Sequence, residues 1–428
     1  MLIMAACGFR TQAAAQTTAH DAGSHSYTVI ANPGENAARQ ARINWHRDEG
    51  LPGGICIFTE AADKEWKHSR TVKAEEELCT AFDSLYSKKA DGENFYERVR
   101  FIRCCAALEG LKPSTAYMYR IGTEGGNDLG EVRYFRTAPR SGKWSAGIIS
   151  DFHSYPPLPR RLEAAVAMLD TLKERNGKDF DIILHAGDIC AWGGSYSFWK
   201  RLYEEPYFHN YMWAGTNGNH DNMDRQAKRL SNDYFRFVNA NPLNGYAGEE
   251  GVCYHFKYGD ALFIILNNES MRDEEGLEAA QEWVRRTIAE NPAGYVIVME
   301  HYQWFFGENG KTSHYGRWKD LFDECGVDLA VGANNHIYAR TGAVFAGKET
   351  DGKKGTVYVQ LPSSDNERGQ DLKDWTDNKD LIKFRWSEGG NTVGAILMHA
   401  DRRRLRLTLY DRYGNAVDEV TVLRKKKK

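Results

Sequence analysis

At 428 residues the chain is too long for one ordinary core and is expected to form two domains, or two and a half. It is 42% hydrophobic and 27% charged, the balance of a soluble globular protein, and its formal net charge of -3 gives no broad basic surface for nucleic acid. Eight cysteines, at 7, 56, 79, 104, 105, 190, 253 and 325, include no CxxC pair and so match no zinc module; a disulfide among the early ones is open, but no pairing follows from their order.

Residues 1–26 read either as a leader or as a disordered Ala/Thr-rich start. Met4-Ala-Ala-Cys7 is similar to the end of a bacterial lipoprotein signal, with Cys7 as the lipid-bearing residue, and Ala13-Ala-Ala-Gln16 offers a small-residue cleavage site. No run reaches the ~18 apolar residues needed to span a bilayer, so a membrane link would be an anchor through Cys7, and the expected place is secreted, periplasmic or cell-envelope. Residues 27–139 carry short strand-like runs at 26–30, 42–45, 54–58, 117–121 and 131–137 between Gly/Pro/Asn turns, the spacing of an antiparallel sandwich. The turn and alternating strand from Leu108 to Gly122 resemble the late part of a fibronectin type III module. Cys104 and Cys105 are neighbours in sequence, so on a strand at most one faces the core.

After the linker 138–143 the pattern changes. Strands are predicted at 144–150, 181–185, 211–214, 261–266, 295–300 and 328–331, with helices at 160–175, 275–291 and 316–325 between them. Strands follow again at 355–361, 392–399, 404–410 and 416–423, so residues 140–424 read as one α/β layered domain. The short basic run Lys425–Lys428 reads as a solvated tail, with contact to an anionic surface as the alternative.

Five of these apolar runs end in metal-capable side chains. Gly147-Ile-Ile-Ser150 leads into Asp151-Phe-His153, and Asp181-Ile-Ile-Leu-His-Ala186 into Gly187-Asp188. Tyr211-Met-Trp-Ala-Gly-Thr-Asn217 leads into Gly218-Asn219-His220-Asp221, Tyr295-Val-Ile-Val-Met-Glu300 into His301, and Asp328-Leu-Ala-Val-Gly-Ala333 into Asn334-Asn335-His336. Ligands of α/β sheets gather at the carboxyl ends of strands, which would bring all five to one edge of one sheet. No single pair is specific; the coincidence of five is.

The series Asp-x-His, Gly-Asp, Gly-Asn-His-Asp, His and a last x-His resembles the calcineurin-like metallophosphoesterase superfamily. The sandwich in front and His336-Ile-Tyr-Ala-Arg340 are similar to its purple acid phosphatase branch. The resemblance implies a metallophosphoesterase β-sandwich flanked by helices, preceded by an all-β fibronectin III-like sandwich. It implies two metal ions, Fe, Zn or Mn, about 3.5–4 Å apart with Asp188 between them. Asp151, His153, Asp188 and His336 would hold one; Asp188, Asn219, His301 and Asn334 the other. A bridging water would be activated as hydroxide for attack on a small phosphate ester. His220 would serve the leaving group as general acid or electrostatic partner, and Asp221 would orient His220 by a hydrogen bond. Two departures stand out: Ala191 occupies the place of the branch's metal-binding Tyr, and Asn334 that of the first His in Gly-His-x-His.

Tyr302, His314 and Arg340 are further substrate-side candidates, although a surface position suits His314 as well and packing under the site suits Arg340. Trp192 would line a pocket or the core, and Cys190 is a small buried side chain. The expected activity is phosphomonoester hydrolysis. A phosphodiesterase or nucleotidase with the same metals, and a non-catalytic surface binding protein with a degenerate site, are the alternatives; oligomeric state is not legible.

Overall fold

A computed structural model of the chain describes residues 26–88, 94–126, 128–224, 229–305, 313–372 and 378–425. The leader-like segment with Cys7, residues 306–312 of the loop before His314, and the last three lysines lie outside the described residues.

Two antiparallel four-stranded sheets open the chain. One runs Ser26–Pro33, Ala41–Arg47, Asn94–Leu108, Glu75–Lys88 in spatial order; the other Arg70–Lys73, Gly54–Glu60, Ala116–Thr123, Arg133–Arg136. Their facing sides bury Ile43, Trp45, Cys104 and Ala106 against Cys56, Phe58, Tyr119 and Ile121. The long hairpin Glu75–Lys88/Asn94–Leu108 escapes the sequence reading because its hydrophobic residues fall on both faces: Cys79 and Ala81 are buried, while Leu78 and Phe82 are exposed. Cys104 faces the sandwich core, as alternation allows for only one of the pair, and Cys105 is buried on the opposite face, where Arg42 donates to its sulfur. The outer face of this sheet is covered too: Arg42 and Arg103 donate to the carbonyls of Ala240 and Asn239. All seven cysteines among the described residues are free thiols.

Two mixed sheets form the second layer system. The first runs Trp213–Gly215, Ile182–His185, Trp144–Ile149, Gly394–Ala400, Arg404–Asp411, Ala416–Leu423; its first three strands are parallel. The second sheet contains Tyr254–Tyr258, Ala261–Ile265, Tyr295–Met299, Leu329–Gly332, Thr356–Gln360 and Tyr338–Phe345, with the middle four parallel. Ile148, Leu184, Ile297, Val331, Met398 and Leu407 are part of the core between the sheets. Helix α1 (Arg160–Asn176) covers the outside of the first sheet, near α2 (Tyr196–Leu202), α3 (Pro206–Asn210) and α4 (Asp233–Val238). Helices α5 (Glu274–Glu290) and α6 (Tyr315–Cys325) cover the second. Both faces of the parallel strands are therefore buried, which explains their unbroken apolar runs. α5 buries Ala280, Trp283, Val284 and Thr287 at helical spacing, and Asp273 caps it by accepting from Gly276 N.

Candidate metal centre

The five ligand segments all sit at carboxyl ends of parallel strands, but on two sheets rather than one. Asp151–His153, Asp188 and Asn219–His220 follow strands of the first sheet; His301 and Asn334–His336 follow strands of the second. The carboxyl ends of the two sheets meet, so Asp188 Oδ2 lies 3.1 Å from His153 Nε2 and 3.3 Å from His301 Nε2 across the join. Asn219 Oδ1 is 3.2 Å from the same His301 nitrogen. Asp188 Oδ1 accepts from His220 N at 2.8 Å, which ties the third loop in. Two glycines make room: a Cβ on Gly218 would fall 2.2 Å from Asp188 Oδ1, and one on Gly187 2.6 Å from His301 Nδ1.

The donor set fits a pair of metal ions. Four imidazoles each place Nδ1 against a main-chain carbonyl: His153 on Asp151 O at 2.9 Å, His220 on Ala191 O at 2.9 Å, His301 on Ala186 O at 2.7 Å, His336 on Arg368 O at 2.5 Å. A donating Nδ1–H leaves the Nε2 lone pair for the metal. The Asp151 Oδ2 atom accepts from Ser150 Oγ and Asn334 N, while its buried Oδ1 has no hydrogen-bond partner and lies 3.5 Å from His336 Nε2. Three overlapping triads, Asp151–His153–His336, His153–Asp188–His220 and Asp151–Asp188–His301, each bring their donor atoms within 4.8 Å of one another. Asp151, His153, Asp188, Asn334 and His336 all have positive φ, a conformation held at a cost of about 1–3 kcal/mol per residue where function requires it.

The charge balance among the protein groups points the same way. Burial opposes the charge on Asp188, yet His301 and His153 hold its carboxylate well below the usual range. Burial also resists protonation of His301 and His153, but Asp188 and its neighbours raise them to about 10 and about 9. Burial pushes Asp151 up to about 6, and burial with the nearby His153 and Arg368 charges pushes His336 down to about 3. A cation between the carboxylates would replace the two imidazolium protons, so metal binding should release protons.

Asp221 differs from the sequence expectation. Its carboxylate accepts from Cys190 N at 2.8 Å and Gly218 N at 2.9 Å, and the Ala191 carbonyl, not Asp221, orients His220. Asp221 thus braces the two loops that carry Asp188 and His220. His314 is buried, not on the surface: its Nδ1 lies 3.0 Å from Glu300 Oε1, behind His301. Tyr302 donates to Glu269 Oε1 at 2.7 Å, with its ring 5.8 Å from that of His301. Arg340 forks onto Asp418 at 2.8 and 2.9 Å, beside Tyr338, and its guanidinium is engaged there. The Trp192 ring is 5.6 Å from His220, and Cys190 is a buried thiol. Asn334 donates Nδ2 to Gln303 Oε1 at 2.6 Å.

The segment after Thr356–Gln360 went unread. Ser363 Oγ donates to Asp151 O at 2.8 Å, Asp365 Oδ2 lies 3.7 Å from His153 Nδ1, and Arg368 O receives His336. The signal was present: a further parallel strand, paired Val331↔Val359, must end at the same edge as the five that carry ligand segments. Asn268 was also missed; its Oδ1 accepts from the main-chain N–H groups of His301 and Tyr302.

Comparison with known proteins agrees with this geometry. The family described as calcineurin-like phosphoesterase matches residues 146–338. Purple acid phosphatase 15 of Arabidopsis thaliana is 22% identical over 298 residues, 60% of this chain and 53% of its own, so the matched region spans about half of that relative. Acid phosphatase type 7 of Danio rerio is 23% identical over 366 residues, 74% of this chain and 77% of its own. A purple acid phosphatase from yellow lupin (Lupinus luteus) seeds shares the fold with a TM-score of 0.72 at 16% identity, over 94% of this chain and 75% of its own. With its candidate ligand residues at the carboxyl ends of paired sheets and that family's match across them, residues 146–338 are similar to the calcineurin-like phosphoesterases, and purple acid phosphatases are among the proteins the chain resembles.

Proposed function

We propose that the protein hydrolyses phosphate esters, monoesters foremost, at a dinuclear metal site formed by Asp151, His153, Asp188, Asn219, His301, Asn334 and His336. The observation that carries this is Asp188, whose one carboxylate oxygen lies between imidazoles from two different sheets. Bound metal ions would supply an activated water and charge stabilisation for the phosphoryl group. The protein's own part is positioning. Main-chain carbonyls fix the imidazole tautomers, Asp221 holds the loops of Asp188 and His220 together, and His220 presents Nε2 to the leaving group as general acid or electrostatic partner. A secreted or cell-envelope location, with an anchor through Cys7, belongs to the same proposal.

A second reading, a binding protein with a degenerate site, draws on Asn334 in place of an imidazole. Metal content per chain, measured with phosphate release from an aryl phosphate monoester on the same sample, separates the two. About two metals with turnover abolished by chelator supports the hydrolase. One metal or none, with no turnover after Fe, Zn and Mn are added back, sinks it. Two metals with turnover on diesters or nucleotides alone would move the substrate to those classes.

A further inference from the structure

The segment from Leu361 to Gln370 is locked against the site by its own hydrogen bonds. Ser363 holds the Asp151 carbonyl, and Asp365 Oδ1 accepts from Ser363 Oγ at 3.2 Å, Glu367 N at 2.9 Å and Arg368 N at 2.8 Å. The Arg368 carbonyl then receives His336 Nδ1 at 2.5 Å, so the Arg368 backbone adjoins a ligand of the centre. The Glu367 carboxylate next to it is taken up by Arg160 and Arg161.

Arg368 itself is half-buried, and its guanidinium has no hydrogen-bond or ion-pair partner among the described residues. That sets it apart from the protein's other buried and half-buried arginines: Arg47 pairs with Glu76, Arg161 with Glu367, Arg340 with Asp418. Its charge is felt by His153, His220 and His336 together, which places it within electrostatic range of three sides of the centre. A planar fork of donors with no internal acceptor, beside a phosphoester site, is matched by the oxygens of a phosphate.

Resting on the phosphoesterase reading above, we propose that Arg368 is a substrate-binding residue that contacts the non-bridging oxygens of a dianionic phosphomonoester. A monoester has three such oxygens and two negative charges; a diester has two oxygens and one charge. The contact therefore favours monoesters, and it selects the phosphate itself rather than the leaving group.

The test is calorimetric titration of inorganic phosphate into metal-loaded full-length wild type, Arg368→Gln and Arg368→Lys, with metal content measured on each. Losing a charged hydrogen-bonding partner should weaken phosphate binding roughly 10- to 100-fold in Arg368→Gln, with part recovered by Arg368→Lys. The loss in kcat/KM of Arg368→Gln should be larger for an aryl phosphate monoester than for the corresponding diester. Equal phosphate affinity in wild type and Arg368→Gln overturns the proposal and leaves the phosphoesterase reading standing. Loss of metal in Arg368→Gln also overturns it, since the residue would then act through His336. Wild-type protein that holds two metals and binds phosphate through Arg368, yet turns over no ester, fails the hydrolase reading instead.

Discussion

Asp188 has one oxygen facing two imidazoles and the other fixed by the His220 N–H, so its charge cannot be lost without unpairing groups on both sheets. Asp188→Asn keeps the shape and removes the charge. Metal content should fall below one per chain, and turnover should drop on the order of a thousandfold or more, because water activation by metals is worth several kcal/mol. Elemental analysis beside phosphate release checks it; a variant that keeps two metals would show that Asp188 does not join them. Asn334→His puts the family's imidazole back at a position that already has positive φ, at the cost of the Gln303 hydrogen bond. Its metal should resist chelator at roughly tenfold higher concentration, the scale on which changes around a metal alter affinity. At this scale the site was legible where residue type and strand end coincide, as at Asp151, His153, Asp188 and His301. Asp365 and Arg368 were not, because a loop that works through its main-chain and serine hydrogen bonds leaves no ligand-type pattern in the sequence.

Elements were read best where periodicity was long. α1, α5 and α6 begin within one residue of their predicted starts, since each carries an apolar stripe three and four residues apart. α2, α3 and α4 are only five to seven residues long and show too few turns to register a period. Two of these short helices contact the N-terminal sandwich from beside the first mixed sheet. His46, on Ala41–Arg47, lies 2.6 Å from the Tyr196 hydroxyl of α2 and donates Nε2–H to the Phe237 carbonyl of α4 at 2.7 Å, stacked on Phe101. Burial, with the Arg103 and Lys200 charges, pushes its pKa from 6.5 down to about 3. The unfolded chain therefore binds a proton that the folded chain refuses. Stability is full above pH 6.5 and is lost as pH falls toward about 3, by a few kcal/mol. Thermal unfolding of wild type should decline between pH 6.5 and pH 4 more steeply than that of His46→Asn, which starts lower at neutral pH. Parallel declines in the two proteins would mean that His46 carries none of the acid sensitivity.

On the scale of the whole molecule, strand order along the chain did not reveal which sheet each strand joins. That depends on pairings such as Ile148↔Ile396 and Val331↔Val359, which bring together segments far apart in sequence. The consequence is that the centre lies across a seam: His153 and Asp188 come from one sheet, His301 and His336 from the other, and non-glycine residues stand at positive φ in three of the five ligand-bearing turns. In the unfolded chain the residues Asp151 and His336 are far apart along the sequence, so the complete set of ligands exists only in the folded state. Metal must then stabilise folding by mass action, about 2.7 kcal/mol at a hundred times its Kd. For a protein of this size that corresponds to a rise in Tm of roughly 3 °C. Wild type treated with chelator should unfold at the lower temperature and recover on adding back metal. Asp188→Asn should unfold at one temperature in both conditions, and near-ultraviolet circular dichroism should report the loss of both sheets together. If wild type stripped of both metals by chelator unfolded at the same temperature as the protein with two metals per chain, the ions would bind folded and unfolded chain alike, and the reading of a ligand set completed only across the seam would fall with that result.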